Sequence, residues 1–151
     1  MCAVGVIQDG VFVHNEEGEF VNDMTNLYSV GDGGLHTSIN DFIKWDQNFY
    51  KPKLGKDPEA FLKLMNTPNS RFADDGSFYA NDQTEGTFYG NGQNIWDSDG
   101  QPVFSHSGGW LGFSAYYIRY PEQGLSVVAF CNDADQWPSR YIAELVEFYR
   151  D

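Results

Sequence analysis

The run "FSHSGGWLGFSAYYIRYPEQGLSVVAFCN", Phe104–Asn132, decides how the rest of the chain is read. It holds two stretches rich in aromatic and β-branched residues, "FSAYYIRY" and "LSVVAFCN", on either side of Pro121-Glu122-Gln123-Gly124. Such residues fit the pleated, half-buried surface of a strand, and a turn this short sends the chain back antiparallel to itself. Just upstream, "GTFYGNGQNIWDSDGQPVFSHSGG" carries two further strand-like runs around Asp99-Gly100, a dipeptide suited to a tight hairpin. Consecutive strands joined by short turns make an antiparallel meander.

Helices are expected on both sides of this sheet. Downstream, "WPSRYIAELVEFYRD" has Pro138 near a first turn and Tyr141, Ile142, Leu145, Val146, Phe148 and Tyr149 on one side, an amphipathic helix that needs a sheet face to cover. Upstream, "INDFIKWDQNFY" spaces Ile39, Phe42, Ile43, Trp45 and Phe49 for a helix of about three turns, after a Ser38 and Asp41 pair that resembles a capping box. Asp57-Pro58 then offers a cap and a first-turn proline for a second, short helix carrying Phe61, Leu62, Leu64 and Met65. The polar stretch "RFADDGSFYANDQTE", Arg71–Glu85, reads as a loop or weak hairpin. At the amino end, "AVGVIQDGVFVHNEEGEFVN" alternates short β runs with Asp9-Gly10 and Glu17-Gly18, so two or three short strands are expected there. The fold class is α+β, in one domain covering residues 1–151.

Composition bounds the partners. A chain of 151 residues with 41% hydrophobic and 17% aromatic side chains can build a core, and the formal net charge of −13 does not make it disordered. With 22 carboxylates against nine cations its surface repels phosphate backbones and anionic headgroups, so nucleic acid and membrane surfaces are not expected partners. No apolar run approaches the roughly 18 residues of a membrane span, and "MCAVGVIQDG" does not have the pattern of an export signal. The compartment is left open. Cys2 and Cys131 form no metal spacing and read as two unpaired thiols.

Three histidines are the natural suspects for chemistry near neutral pH. His14 reads as a strand residue beside Asn15 and Glu16, and His36 as a loop residue after the glycine-rich "GDGGL". No set of His, Cys and carboxylate ligands has zinc-like spacing, so neither a metal nor any other cofactor is expected. "DSDG", Asp97–Gly100, lacks the later ligands of a calcium loop and is better read as a turn. "GDGG" and "GNGQN" lack the context of a phosphate-binding loop, and no G-x-S-x-G elbow is present. His106 differs in its setting. A histidine at a strand end, followed by a serine and two glycines, leaves room for a ligand against the backbone and offers N–H groups to an oxyanion.

Taken together, "YSVGDGGLHTSINDFIKWDQNFY" and "FSHSGGWLGFSAYYIRYPEQGLSVVAFCND" closely resemble the carboxy-terminal part of the serine β-lactamase-related family, which includes penicillin-binding proteins, class C β-lactamases, D-aminopeptidases and esterases. The resemblance runs from about Ala3 to the final helix. It implies a partial β-lactamase or transpeptidase-like fold and a site of three motifs: Ser-x-x-Lys for the nucleophile and its base, Tyr-x-Asn for proton transfer, and Lys-Thr-Gly or His-x-Gly on a strand lining the pocket. His106-Ser107-Gly108 matches the third. By that match His106 tunes proton transfer and binding, Ser107 offers a hydroxyl, Gly108 admits the substrate, and the N–H of Gly109 is an oxyanion donor. Gly33 and Gly34 would form a wall segment near the site.

The other motifs do not follow. The residues three positions before the five lysines are Asp41, Asn48, Tyr50, Lys53 and Ala60, so no Ser-x-x-Lys is present. Tyr79-Ala80-Asn81 spells the second motif, but after the glycine loop rather than before it. The resemblance therefore implies the second portion of a larger serine hydrolase, acting on an amide or ester in the intact parent and inactive alone. It also implies an uncovered sheet edge, open to an amino-terminal half or a second copy, and a small peptide, ester or β-lactam-like ligand. Two other readings stay open: a non-catalytic module that binds or self-associates through the His106 groove or a strand edge, and an unrelated enzyme pairing His106 with a carboxylate such as Asp32.

Overall fold

A computed structural model describes residues 11–14, 20–23, 31, 33–68, 87–110, 112–133 and 135–150. Two strands, β1 (Val11–His14) and β2 (Phe20–Asp23), pair antiparallel with Val11 opposite Asp23 and His14 opposite Phe20. Two helices follow, α1 (Ile39–Tyr50) and α2 (Pro58–Met65). Five strands then form a second sheet in sequence order: β3 (Thr87–Tyr89), β4 (Asn94–Ser98), β5 (Gln101–Trp110), β6 (Phe113–Tyr120) and β7 (Leu125–Cys131). A third helix, α3 (Pro138–Arg150), ends the described chain. The architecture is the α+β meander expected from the sequence. None of these helices is long and apolar enough to cross a membrane. The Arg71–Glu85 loop, Tyr79-Ala80-Asn81, Asp32 and the Asp9-Gly10 and Glu17-Gly18 turns lie outside the described residues.

Three expectations are corrected. The stretch from Gly86 to Gly109 holds three strands rather than two, because the polar Gly90–Gln93 segment interrupts it as a turn: Gly90 N donates to Gln93 O at 2.8 Å, and Gly92 has φ +80°. Cys131 is disulfide-bonded rather than a free thiol, and the chain's other cysteine, Cys2, lies outside the described residues. On α3, only Ile142 and Val146 of the six expected apolar residues are buried; Tyr141, Leu145, Phe148 and Tyr149 are exposed. Residues four apart stack on one line of a helix, and the buried line of α3 is Pro138, Ile142 and Val146.

The contacts divide into two compact units. One comprises Asn40–His106 and Ile118–Ser126, where described, and its core gathers Phe49, Ile95, Val103, Phe104, Ile118 and Tyr120 around Arg119, which is 1% exposed. The guanidinium sits 3.9 Å from the ring centre of Phe49 and 4.2 Å from that of Phe104, and donates to Asn66 Oδ1 and Gln93 Oε1, both at 2.9 Å. A cation can stay inside this core because aromatic faces and amide oxygens replace its water.

Helix α2 is finished by side chains of its own unit. Asp57 caps its start, accepting from Ala60 N at 3.1 Å, with Pro58 at the first position where a missing N–H costs nothing. At its end the last carbonyls would be orphaned. Asn66 N reaches Leu62 O, Thr67 Oγ1 reaches Lys63 O, Asn91 Nδ2 reaches Leu64 O and Gln93 Nε2 reaches Met65 O. The β3–β4 turn thus serves as the C-terminal cap of α2. It also sets the edge strand that carries Tyr89.

The second unit comprises the described residues within Met1–Ile39, Ser107–Tyr117 and Val127–Asp151. It buries Tyr117, Cys131, Ile142 and Val146. Fully burying an aliphatic side chain is worth about 1.5–3 kcal/mol, so Ile142 and Val146 are what hold α3 in place.

Candidate functional site

The hairpin between β4 and β5 fixes where His106 falls. Asp99 (φ +57°) and Gly100 (φ +80°) make a two-residue turn with both residues left-handed, and Asp97 Oδ1 accepts from Gly100 N at 2.8 Å. This is the turn expected of "DSDG". It sets Ser98 opposite Gln101, Trp96 opposite Val103 and Asn94 opposite Ser105. Asn94 is the first residue of β4, so β5 runs on past its neighbour and His106–Trp110 have no partner on β4.

His106 is exposed at the point where that pairing stops. Tyr89, last residue of β3 and paired with Asn94, brings its phenol oxygen to 3.1 Å from His106 Nε2, with the rings 6.0 Å apart and inclined at 60°. The sequence reading did not anticipate Tyr89. Its only local sign is a tyrosine at the end of a strand run, just before the glycines of the turn.

Ser107, Gly108 and Gly109 line a pocket of about 400 Å³. Trp110, the start of β6 and the segment Gln136–Ser139 complete it. A Cβ at Gly108 would make one ordinary contact, 3.5 Å from Ala115 Cβ, and one at Gly109 would meet only Phe113 O at 4.0 Å. Neither has positive φ. Described packing therefore does not demand glycine at either position, and what glycine adds there is open space along the strand.

The far wall of the pocket is tied down. Ser114 Oγ lies 3.0 Å from Asp133 O and 2.8 Å from Gln136 O and shares its proton between them; Tyr141 Oη donates to Gln136 Oε1 at 2.8 Å. Gly33 and Gly34, expected as a wall segment, are not among the residues that line this pocket. His14 stands at the end of β1, and His36 is exposed before α1. Among the described residues no group of three or more His, Cys, Asp and Glu side chains is placed to hold a metal ion.

Comparison with known proteins shows the family and the fold. The Beta-lactamase family model matches residues 6–148. No curated protein matches. Two solved structures share the fold: the octameric penicillin-binding protein homologue from Pyrococcus abyssi, at TM-score 0.70 and 22% identity, and the penicillin binding protein from Bacillus halodurans, at 0.67 and 19%. Each alignment covers 91% of this chain but only 30% and 39% of the respective neighbour. The chain thus spans between 30% and 39% of the length of these two solved proteins.

Proposed function

The chain belongs to the Beta-lactamase family, and on that premise we propose that it is the carboxy-terminal portion of a single serine-hydrolase domain that performs acyl transfer on an amide or ester. The observation that carries this reading is the run His106-Ser107-Gly108-Gly109 on the part of β5 that extends past β4, with its serine and glycines lining a pocket of ligand size. In the reaction, a serine hydroxyl from outside this sequence attacks the substrate carbonyl. The Gly109 N–H is one donor to the resulting oxyanion, Gly108 leaves space for the substrate backbone, and Ser107 supplies a hydroxyl. His106, hydrogen-bonded to Tyr89, assists proton movement. Removing the nucleophile from such a site abolishes all but residual catalysis, so the chain alone is inactive.

Incubation with a fluorophosphonate or a chromogenic β-lactam tests this, using the chain alone and mixed with a separately expressed amino-terminal half. Turnover only in the mixture supports the reading. Labelling of the 151-residue chain alone would overturn the claim that the nucleophile lies elsewhere.

A second reading, a self-associating module, draws on the exposed Leu145, Phe148 and Tyr149 of α3 and on the octameric state of the Pyrococcus abyssi relative. Sedimentation equilibrium separates the two. A stable oligomer that Leu145→Lys with Phe148→Lys dissolves would favour association through this helix; a monomer at all concentrations excludes it.

A further inference from the structure

We propose that the pocket beside Ser107–Gly109, lined by Trp110 and Trp137, binds a neutral aromatic group carried on an amide or ester. Both tryptophans line the pocket and both keep much of their surface in solvent, 47% and 70% exposed, whereas Trp45 and Trp96 are half-buried. Phe113 and Tyr116 add two more aromatic side chains to the lining. A volume of about 400 Å³ takes one ring with a short amide stem. Against this aromatic wall lies the glycine-bearing end of β5, where backbone N–H and C=O groups rather than bulky side chains meet the ligand.

The wall is built before any ligand arrives. Trp137 sits between Gln136, tied by Ser114 and Tyr141, and Pro138, which is buried at the start of α3; its carbonyl accepts from Arg140 N at 3.1 Å. With the backbone of Trp137 held in this way, its indole, a side chain with only two rotatable bonds, has limited freedom to lose on binding, so stacking shows up as affinity. Every described side chain lining the pocket is neutral, which matches an uncharged group. As a statement about substrate this rests on the acyl-transfer reading. As a statement about binding it stands apart, and its test needs no turnover.

The test follows the four indole N–H signals of the full 151-residue chain by NMR during titration with N-acetyl-L-phenylalanine methylamide, N-acetyl-L-alanine methylamide or N-acetyl-L-phenylalanine. The Trp110 and Trp137 signals should move saturably with the aromatic amide while those of Trp45 and Trp96 stay. The alanine analogue should bind at least about tenfold more weakly. Trp137→Ala, at an exposed position, should cost about tenfold in affinity, and Trp110→Ala should repeat the loss. No saturable shift, equal binding of the alanine analogue, or stronger binding of the free acid would each overturn the proposal. Binding that persists when the reconstituted mixture shows no turnover would sink the acyl-transfer reading and leave this one standing; turnover without aromatic preference would do the reverse.

Discussion

The phenol oxygen of Tyr89 lies 3.1 Å from Nε2 of His106, two strands away across the end of β4. The contact exists because β4 begins opposite Ser105, so nothing on β4 stands beside His106. The phenol oxygen can donate to Nε2 or accept from it; taken as the donor, it places the ring's own proton on Nδ1, and Tyr89 then sets which nitrogen of His106 can accept. Tyr89→Phe is expected to exchange the tautomer, seen as a reversal of the two ring-nitrogen shifts by NMR. The substitution keeps the ring, so the fold should hold. Unchanged nitrogen shifts would show that the bond does not set the tautomer.

Arg119 should be among the residues least tolerant of change. Arg119→Ala strips Asn66 and Gln93 of a charged donor and opens a cavity between Phe49 and Phe104, at an expected cost of about 3 kcal/mol or more. Lysine cannot stack its ammonium between two rings as a planar guanidinium does, so Arg119→Lys should recover less than half of that loss. Urea denaturation of the three proteins measures both.

Two glycines, Gly90 in the β3–β4 turn and Gly109 on β5, should respond in opposite ways. A Cβ at Gly90 would stand 2.8 Å from Ile95 Cδ1 and 3.1 Å from Thr67 O, and the second of these is backbone that closes α2. Gly90→Ala is expected to cost about 1–3 kcal/mol of stability. Gly109→Ala meets nothing closer than 4.0 Å and should leave the denaturation midpoint essentially unchanged while weakening ligand binding and reconstituted turnover. If Gly109→Ala unfolds the protein, the glycine is there for the fold and not for the substrate.

Tyr50 couples the end of α1 to β7, its hydroxyl 2.9 Å from Ser126 Oγ and 3.4 Å from Leu125 O. Burial raises its phenol above the ordinary value of 10.0; Asp46 adds to the rise, and the Ser126 hydrogen bond and Arg119 oppose it. A raised value in the folded state means that the native protein holds this proton longer than the unfolded chain. The stability it confers is therefore complete below pH 10.0 and is lost as pH rises through the folded value. Comparing wild type with Tyr50→Phe by denaturation across that range isolates the effect: the difference should be flat below it and fall above it. A difference that grows with alkalinity would reverse the assignment.

Much of this was legible in the sequence because local and tertiary preferences coincide. "FSAYYIRY" is β6 residue for residue, and Asp57-Pro58 starts α2 as a cap and first-turn proline should. Asp99-Gly100 adopts the left-handed pair that its composition favours. Legibility ends where a residue's role depends on a distant partner. Nothing in "GTFYGNG" says that Tyr89 reaches past β4, or that Asn91 and Gln93 face the last carbonyls of α2. The apolar stripe on α3 overstated burial for a related reason: periodicity shows which side of a helix is apolar but not how much of that side a neighbour covers. The aromatic wall escaped notice because Trp110 and Trp137, 27 residues apart in the chain, are brought together only as lining of one pocket.

No more than four residues lie between each strand of the five-stranded sheet and the next. Joining each strand to its neighbour therefore closes only a short loop, and the entropic penalty that slows most β proteins is small here. Strand pairing can begin at the Asp99-Gly100 hairpin and spread outward to β3 and β7 without waiting for any remote segment to arrive. In kinetic terms, the meander is the part of this chain best suited to organise first, with its helices condensing onto a sheet that already exists.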